Sequence, residues 1–301
     1  MKRLLKNENG QVIILVTLWL TIFLACTALV VDVGSLYLEK SRLQNIVDAS
    51  TLAGAQELPA NFIKAQAEAV NTIIANNGNP NNFSIETNTT HTMIEVRGRI
   101  TGTLFFATAL GIDEPIIEAS ARVELQPLTA VTGAIPLGIL HSTTMNFGTK
   151  VALKVSDSAN GNFGAIALTG PGAKNYETDL TYGYGAQLYV GELLNTETGK
   201  MANPTVNAIS KRISDCPNAT YLNYSQGCSR VVIVPIYVPV QGTSQKIDQV
   251  RIVGFGTFFI DHVTSTSVGA AVEGYFIRSN HSGDSAPGQH DYGTYSYKLT
   301  R

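Results

Sequence analysis

The 301-residue chain carries 21 Lys and Arg residues against 23 Asp and Glu residues, and charged residues make up only 15% of it. A near-neutral chain without a basic stripe is not built to bind nucleic acid, and nothing in this balance indicates an acidic partner. The length allows one or two domains beyond an anchor, and the 27 glycines are typical of turn-rich β structure.

A charge-free apolar run near the N-terminus predicts a membrane span. The 20 consecutive residues from Val12 to Val31 carry no formal charge, and Lys2, Arg3 and Lys6 precede them. At about 1.5 Å per residue, such a helix is roughly 30 Å long, which matches the hydrocarbon core of a bilayer. Because basic residues beside a span stay in the cytoplasm, we predict a single-pass cell-membrane protein with its N-terminus inside and its C-terminal domain extracytoplasmic.

The length of the run also bears on whether the anchor is cleaved. A signal peptide has an apolar core of about 7–15 residues, so this longer run favours a retained anchor. Leu24-Ala25-Cys26 resembles a lipoprotein cleavage site, but Phe23 stands where an aliphatic residue is usual. A membrane-buried cysteine is therefore the favoured interpretation of Cys26.

The segment after the run predicts a stalk and a small α+β head. Apolar residues keep a helical spacing until Leu58-Pro59, where proline ends the helix. We expect an anchor and stalk over residues 1–58 and a head over residues 59–127. The elements predicted for the head are a helix from Phe62 to Ala75, strands around Phe83 and Ile85, from Met93 to Ile100 and from Ile116 to Leu125, and a short helix from Thr103 to Leu110.

Beyond Pro127 short apolar segments alternate with Gly, Pro and Asn turns, which predicts a β-rich sandwich or barrel over residues 128–301. Only Thr205 to Ile213 reads as a helix. The whole chain is therefore expected to be of the α+β class. The predicted strands are Ile135–Leu140, Lys150–Val155, Ala165–Leu168, Ala186–Val190, Val231–Val238, Gln249–Ile260 and Ala271–Ile277.

Two cysteines lie outside the apolar run. In the oxidising space that the topology predicts, Cys216 and Cys228 are expected to form a disulfide. A metal site is the competing interpretation, and it is weaker because no CxxC or HxxxH spacing accompanies the pair.

Four blocks in order carry a resemblance to a known family. They are Gly10-Gln11-Val12, Asp32-Val33-Gly34-Ser35-Leu36-Tyr37, Leu43-Gln44-Asn45-Ile46-Val47-Asp48-Ala49 and Leu52-Ala53-Gly54-Ala55. Together they resemble the N-terminal domain of TadG-like proteins, in the TadE/TadG group of the tight-adherence (Tad, or Flp) pilus-assembly system. Phe105-Phe106-Ala107 and Gly111 fit a later patch of that family, so the resemblance extends from Gly10 to Leu125, and the β-rich remainder is similar to an extracellular extension of some TadG-like proteins.

The resemblance implies a pilin-like α+β head and a non-enzymatic accessory component that works beside other Tad/Flp pilus-apparatus membrane proteins, without a cofactor. One departure from processed pilins supports an accessory role. Such pilins carry Glu at the fifth residue after the cleavage-site Gly, whereas the fifth residue after Gly10 is Leu15. An unprocessed component is therefore favoured over a major pilin.

Small residues crowd the later turns of the stalk helix, at Ala49, Ala53, Gly54 and Ala55. They permit close helix–helix approach to a partner, and they equally suit packing against the chain's own head. Asp32, directly after the run, is interpreted either as a partner for another protein or as a capping or solvated group.

The sequence carries little that indicates catalysis. It has no GxSxG, HExxH, P-loop or dinucleotide motif, and its histidines are scattered over His91, His141, His262, His281 and His290. An envelope hydrolase or transpeptidase is therefore the least favoured function, and no catalytic, metal or cofactor residue is predicted.

A cell-surface adhesin on a pilin-like anchor is the main alternative. The Gly-rich stretch around Gly183-Tyr184-Gly185 holds Tyr176, Tyr182 and Tyr189 nearby. Tyrosines on a β scaffold bind glycans or protein surfaces, although they also pack across strand pairs.

Overall fold

The computed structural model describes residues 9–156, 164–197, 200–242, 247–266 and 269–300. These residues confirm the α+β class. The helices are α1 (Asn9–Ala55), α2 (Phe62–Ala75), α3 (Ala173–Tyr182) and α4 (Ala202–Asp215), with 3₁₀ turns at Pro80–Asn82 and Ala107–Leu110. The strands are β1 (Phe83–Thr87), β2 (Met93–Thr101), β3 (Ile116–Thr132), β4 (Ile139–Leu140), β5 (Lys150–Ser156), β6 (Gln187–Tyr189), β7 (Leu193–Asn195), β8 (Val231–Gly242), β9 (Ile247–Thr266), β10 (Gly269–Ile277), β11 (Ser279–Asn280), β12 (Gly283–Ser285) and β13 (Thr294–Thr300).

The chain divides into two compact units. Unit 1 holds Met1–Ala55, Ile63–Val123 and Leu299–Arg301, and unit 2 holds Gln56–Phe62 and Glu124–Lys298. The domain boundaries predicted at residues 58 and 127 stay a prediction.

In unit 1 the second half of α1 packs with α2 against β1, β2 and the start of β3. Strands β1 and β2 are antiparallel, with Phe83 opposite Gly98, and β3 lies on the other side of β2. At Gly98 a Cβ would lie 2.8 Å from Leu43 of α1, so the glycine lets the helix approach the sheet closely. The main buried cluster of this unit comprises Leu43, Val47, Ile73, Val96, Ile117, Ala119 and Ala121.

Unit 2 is built mainly on a six-stranded sheet with the order β4-β8-β9-β10-β5 and with β7 also paired to β9. The long β8–β9 pair is antiparallel and contains register shifts, and such bulges bend and twist a sheet. Helices α3 and α4 supply Tyr176, Leu180 and Ile209 to the same core as Phe258 and Phe276 of the sheet. The second half of β3 pairs with β6 and β12 in the same unit.

The predicted elements need corrections in unit 2. Thr205–Ile213 falls inside α4, but the prediction that it is the only helix beyond Pro127 was wrong, because α3 is a second one. Helix α3 is polar and buries only Tyr176, Asp179 and Leu180, so its apolar stripe is too narrow to read from the sequence. Three predicted strands are also shorter than expected. The prediction 186–190 is reduced by one residue at each end, to Gln187–Tyr189. Only Ile139 and Leu140 of 135–140 form a strand, and the segment 165–168 contributes isolated bridges at Ala165 and Ile166.

Candidate functional site at the end of the apolar run

The first half of α1 exposes its apolar side chains. Among the described residues α1 is the helix that is long and apolar enough to cross a membrane, and none of its most apolar window is buried. Threonine hydroxyls in this stretch are hydrogen-bonded within the helix, since those of Thr21 and Thr27 donate to the backbone carbonyls four residues earlier at 2.8 Å. An apolar helix with its polar side-chain groups bonded internally suits the hydrocarbon core of a bilayer.

Asp32, the first charged residue after this stretch, holds a loop of the head. Its carboxylate accepts hydrogen bonds from the backbone N–H groups of Phe105 and Ala107 at 2.7 Å each, and from that of Phe106 at 3.1 and 3.2 Å. The Asp32 side chain is buried by this arrangement. The capping role that the sequence left open for Asp32 is thus the observed one, and its partner lies more than 70 residues away in the chain.

The loop also sets the charge state of this carboxyl. Burial alone would raise the pKa of Asp32, but the hydrogen bonds from the three backbone N–H groups outweigh that effect and hold the pKa below its ordinary value. The carboxylate therefore stays ionised at neutral pH, where it accepts all of these bonds.

Further polar side chains of α1 extend the attachment along the helix. Glu39 accepts from the backbone N–H of Thr103 at 3.0 Å, and Lys40 donates to the carbonyl of Glu118. Gln44 donates to the carbonyl of Ser120 at 3.1 Å and to Asp48 at 2.8 Å. The second half of α1 is consequently bonded to the backbone of its own head by side chains that the sequence analysis did not single out, and no local signal in the sequence identifies their partners.

The small residues at the end of α1 lie partly in the same interface. Gly54 and Ala55 are buried, whereas Ala49 and Ala53 are half-buried. A Cβ on Gly54 would lie 2.5 Å from Ile94 Cδ1 and 2.9 Å from the carbonyl oxygen of Ala65 in α2. Of the two roles left open, packing against the chain's own head is therefore the one observed at Gly54.

These features define the class: a protein with one candidate membrane span, whose helix continues without a break into a small α+β head. Residues 10–57 match the family model described as "Putative Flp pilus-assembly TadE/G-like". The family resemblance is therefore confirmed over that segment. No curated protein and no solved structure matches the chain.

The matched segment contains the residues that hold the head. Asp32, Gln44 and Gly54 all lie within it, and each contacts the head as described above. The Phe105-Phe106-Ala107 block lies beyond the match, yet it is the block whose backbone Asp32 binds. The two parts of the predicted family pattern are thus joined by hydrogen bonds.

In unit 2 the predicted disulfide between Cys216 and Cys228 is confirmed, with the two Cα atoms 5.7 Å apart. The competing metal site is therefore wrong. Arg230, which is buried beside the bridge, was not identified from the sequence. Its guanidinium donates to the carbonyls of Ala219 at 2.9 Å and Ile260 at 2.8 Å, and so ties the loop that the disulfide closes to strand β9.

One histidine, His281, and the acid that follows His290 have partners inside the fold. His281 Nε2 lies 3.1 Å from the Thr257 hydroxyl, and burial lowers the pKa of His281 to about 4. Asp291, beside His290 in the sequence, accepts from the Tyr295 hydroxyl at 2.6 Å. Both side chains are therefore hydrogen-bonded to other residues of unit 2.

One histidine pair does come together. His141 and His290 flank Tyr292, with the two histidine ring centroids 6.0 Å apart and His141 Nδ1 2.7 Å from the Tyr292 hydroxyl. Among the described residues no group of three or more His, Cys, Asp and Glu side chains could hold a metal ion. Asp261, which precedes His262, lies 2.9 Å from Lys150 Nζ in an ion pair.

The tyrosines of the Gly-rich stretch divide into two groups. Tyr176 is buried and its hydroxyl lies 2.9 Å from that of Thr205, so it is a core residue. Tyr182 and Tyr189 are exposed, at 73% and 50%. Tyr184 is half-buried against the core, so Tyr182 and Tyr189 are the tyrosines of this stretch that are most open to a ligand.

Proposed function

We propose that this protein is a membrane-anchored, non-enzymatic accessory component of a Tad/Flp-type pilus-assembly or secretion apparatus, with its N-terminus inside and its β-rich unit extracytoplasmic. The observation that carries the proposal is the family match over residues 10–57, which coincides with a helix exposing a bilayer-length apolar stretch. The basic residues before the stretch support the orientation.

The role of α1 supports an anchored component more than a fibre subunit. Pilin helices pack on one another in a fibre, and Leu15 stands where a processed pilin carries Glu. Several polar side chains of α1 beyond the apolar stretch are bonded to the chain's own head, among them Asp32 and Gln44. The helix therefore serves as an anchor and as a support for the head.

Several side chains that could act in catalysis are bonded or buried within the fold, which supports a non-enzymatic role. Cys216 and Cys228 are joined to each other, which removes both as thiolate nucleophiles. His281 is buried, and its lowered pKa keeps it neutral. Binding and assembly are therefore better supported than hydrolysis.

Orientation is tested by labelling single cysteines in intact cells of the native host. In a Cys26→Ala background, Asn71→Cys places a thiol on the exposed side of α2, and Asn7→Cys places one before the apolar run. A membrane-impermeant maleimide should label Asn71→Cys in intact cells and Asn7→Cys only after permeabilisation. The reverse pattern would overturn the orientation.

The accessory role is tested by intact mass and by deletion. A full-length mass in the membrane fraction is expected, together with loss of surface pili on deletion while the major pilin is still synthesised. A mass that starts at Gln11 would show prepilin processing and would move the protein into the fibre.

The exposed Tyr182 and Tyr189 favour an adhesin as the second candidate, because exposed tyrosines on a β-rich unit suit glycan or protein surfaces. Under this alternative, cells carrying Tyr182→Ser and Tyr189→Ser would keep normal pili and lose adherence. Under the accessory role, the same cells would retain both.

A further inference from the structure

An exposed apolar loop follows strand β2. Residues 101–112 carry no formal charge. Four large apolar side chains in this loop are exposed, namely Phe105 at 61%, Phe106 at 50%, Leu110 at 82% and Ile112 at 54%. A concentration of exposed apolar side chains in a short segment marks a contact surface.

The loop is attached at the level where the apolar run ends. Asp32 directly follows Val31, the last residue of the run. The N–H groups of Phe105 and Ala107 are each 2.7 Å from the Asp32 carboxylate, so the position of the loop along α1 is set by the first charged residue after the run. Tyr37, a little farther along α1, is also exposed, and tyrosine is enriched at membrane–water boundaries.

Several backbone N–H groups of the loop already have hydrogen-bond partners within the protein. N–H groups that leave water without a partner are costly, and those of residues 103, 105, 106 and 107 all donate to carboxylates of α1. The carboxylates of Asp32 and Glu39 therefore give these four N–H groups partners that do not depend on water, which lowers the cost of placing this part of the loop against lipid. The apolar side chains are left facing outward.

We propose that residues 103–112 form a second membrane contact, in which Phe105, Phe106, Leu110 and Ile112 insert into the boundary between lipid headgroups and acyl chains beside the span. This inference rests on the proposed anchoring of α1. Continuity with the span selects lipid as the occupant, since the loop is hydrogen-bonded to the residue at which the span ends. Interfacial segments of this kind bury their apolar face by about 5–10 Å.

The contact is tested on the full-length protein in phosphatidylcholine vesicles. In the Cys26→Ala background, an environment-sensitive fluorophore is attached to Leu110→Cys, and quenchers are carried on lipid acyl chains either near the headgroup or near the chain end. The matched controls are Asn71→Cys on the exposed side of α2 and Leu20→Cys within the span.

At Leu110→Cys we expect a blue-shifted emission and loss of fluorescence with the shallow quencher, whereas Asn71→Cys should show neither. Replacing Phe105 and Phe106 by serine, which leaves the Asp32 bonds to their backbone in place, should reduce the loss at Leu110→Cys. A water-like, unquenched probe at Leu110→Cys with quenching at Leu20→Cys would overturn the lipid contact and leave the anchor intact. Absence of quenching at both positions would overturn the loop contact and the anchoring together.

The same measurement distinguishes contact with lipid from contact with a partner protein, because the purified protein in vesicles has no other apparatus component to bind. A Leu110→Cys probe that is unquenched in vesicles but cross-links to another envelope protein in cells would also overturn the lipid contact.

Discussion

Replacing Gly54 by alanine tests whether the end of α1 packs against the chain's own head. In an exposed helix the change from glycine to alanine stabilises by roughly 0.5–1 kcal/mol, because glycine loses more backbone freedom on folding. At Gly54 the added methyl would lie 2.5 Å from Ile94 Cδ1 and 2.9 Å from the Ala65 carbonyl oxygen, well inside ordinary contact distance. The sign of the effect depends on whether these neighbours can move.

The surroundings of Gly54 leave little room for such movement. Ile94 is fully buried, and the Ala65 oxygen belongs to the backbone of α2, which can move only together with the helix. Forcing an extra methyl into a close-packed site costs about 1–3 kcal/mol. When the mid-range helix gain is subtracted from the mid-range packing cost, we expect Gly54→Ala to lower the free energy of unfolding by about 1 kcal/mol.

The assay is unfolding of the detergent-solubilised full-length protein, followed by circular dichroism at 222 nm. Gly34→Ala is the matched control, because Gly34 lies in the same helix and a Cβ there meets nothing within 4 Å. The control should be neutral or slightly stabilising. A Gly54→Ala variant as stable as Gly34→Ala would refute the packing of α1 on α2, and loss of apparatus assembly in that stable variant would assign the small residues to a partner helix.

Three further predictions concern unit 2. Arg230→Met should lower the free energy of unfolding by roughly 3 kcal/mol, because several backbone carbonyls lose a buried charged donor; an unchanged denaturation midpoint would contradict this. Replacing Cys216 and Cys228 by serine should cost about 3 kcal/mol for a loop with a sequence separation of 12, whereas Cys26→Ser should cost nothing measurable in the same melt. Burial lowers the pKa of His281 from 6.5 to about 4 in the folded state, so between these pH values the unfolded state binds one more proton than the folded state. The free energy of unfolding should therefore fall by up to roughly 3 kcal/mol as the pH drops from 6.5 to 4. Urea melts of His281→Asn should show a smaller decline over the same pH range.

The elements read most reliably from the sequence were those with a strong one-dimensional signal. The predicted helix Phe62–Ala75 agrees with α2 at both ends, because its apolar residues repeat with the helical period. The predicted strand Val231–Val238 lies inside β8, which runs on to Gly242 as a nearly continuous apolar segment. Helix α3 was missed because a short helix that buries only three side chains shows no such period.

The candidate site was harder to predict from the sequence, since its residues come from distant parts of the chain. Asp32 was noticed because a charge directly after an apolar run is unusual, but its partner could not be identified. The carboxylate and the Phe105 N–H that it binds are 73 positions apart. No local pattern encodes such a pairing, and the same holds for the guanidinium of Arg230, whose farthest acceptor is the carbonyl of Asp261.

The sequence by itself determined the apolar run, the resemblance of residues 10–57 to the TadE/G-like family and the β-rich character of the second part, because run length, residue order and alternation are properties of neighbouring residues. Only the tertiary structure decided what Asp32 binds, which surface Gly54 faces and which side chains of the loop remain exposed. Those outcomes depend on long-range packing, in which a carboxylate takes the backbone donors that the fold brings to it and a glycine permits the approach of whatever element lies against it.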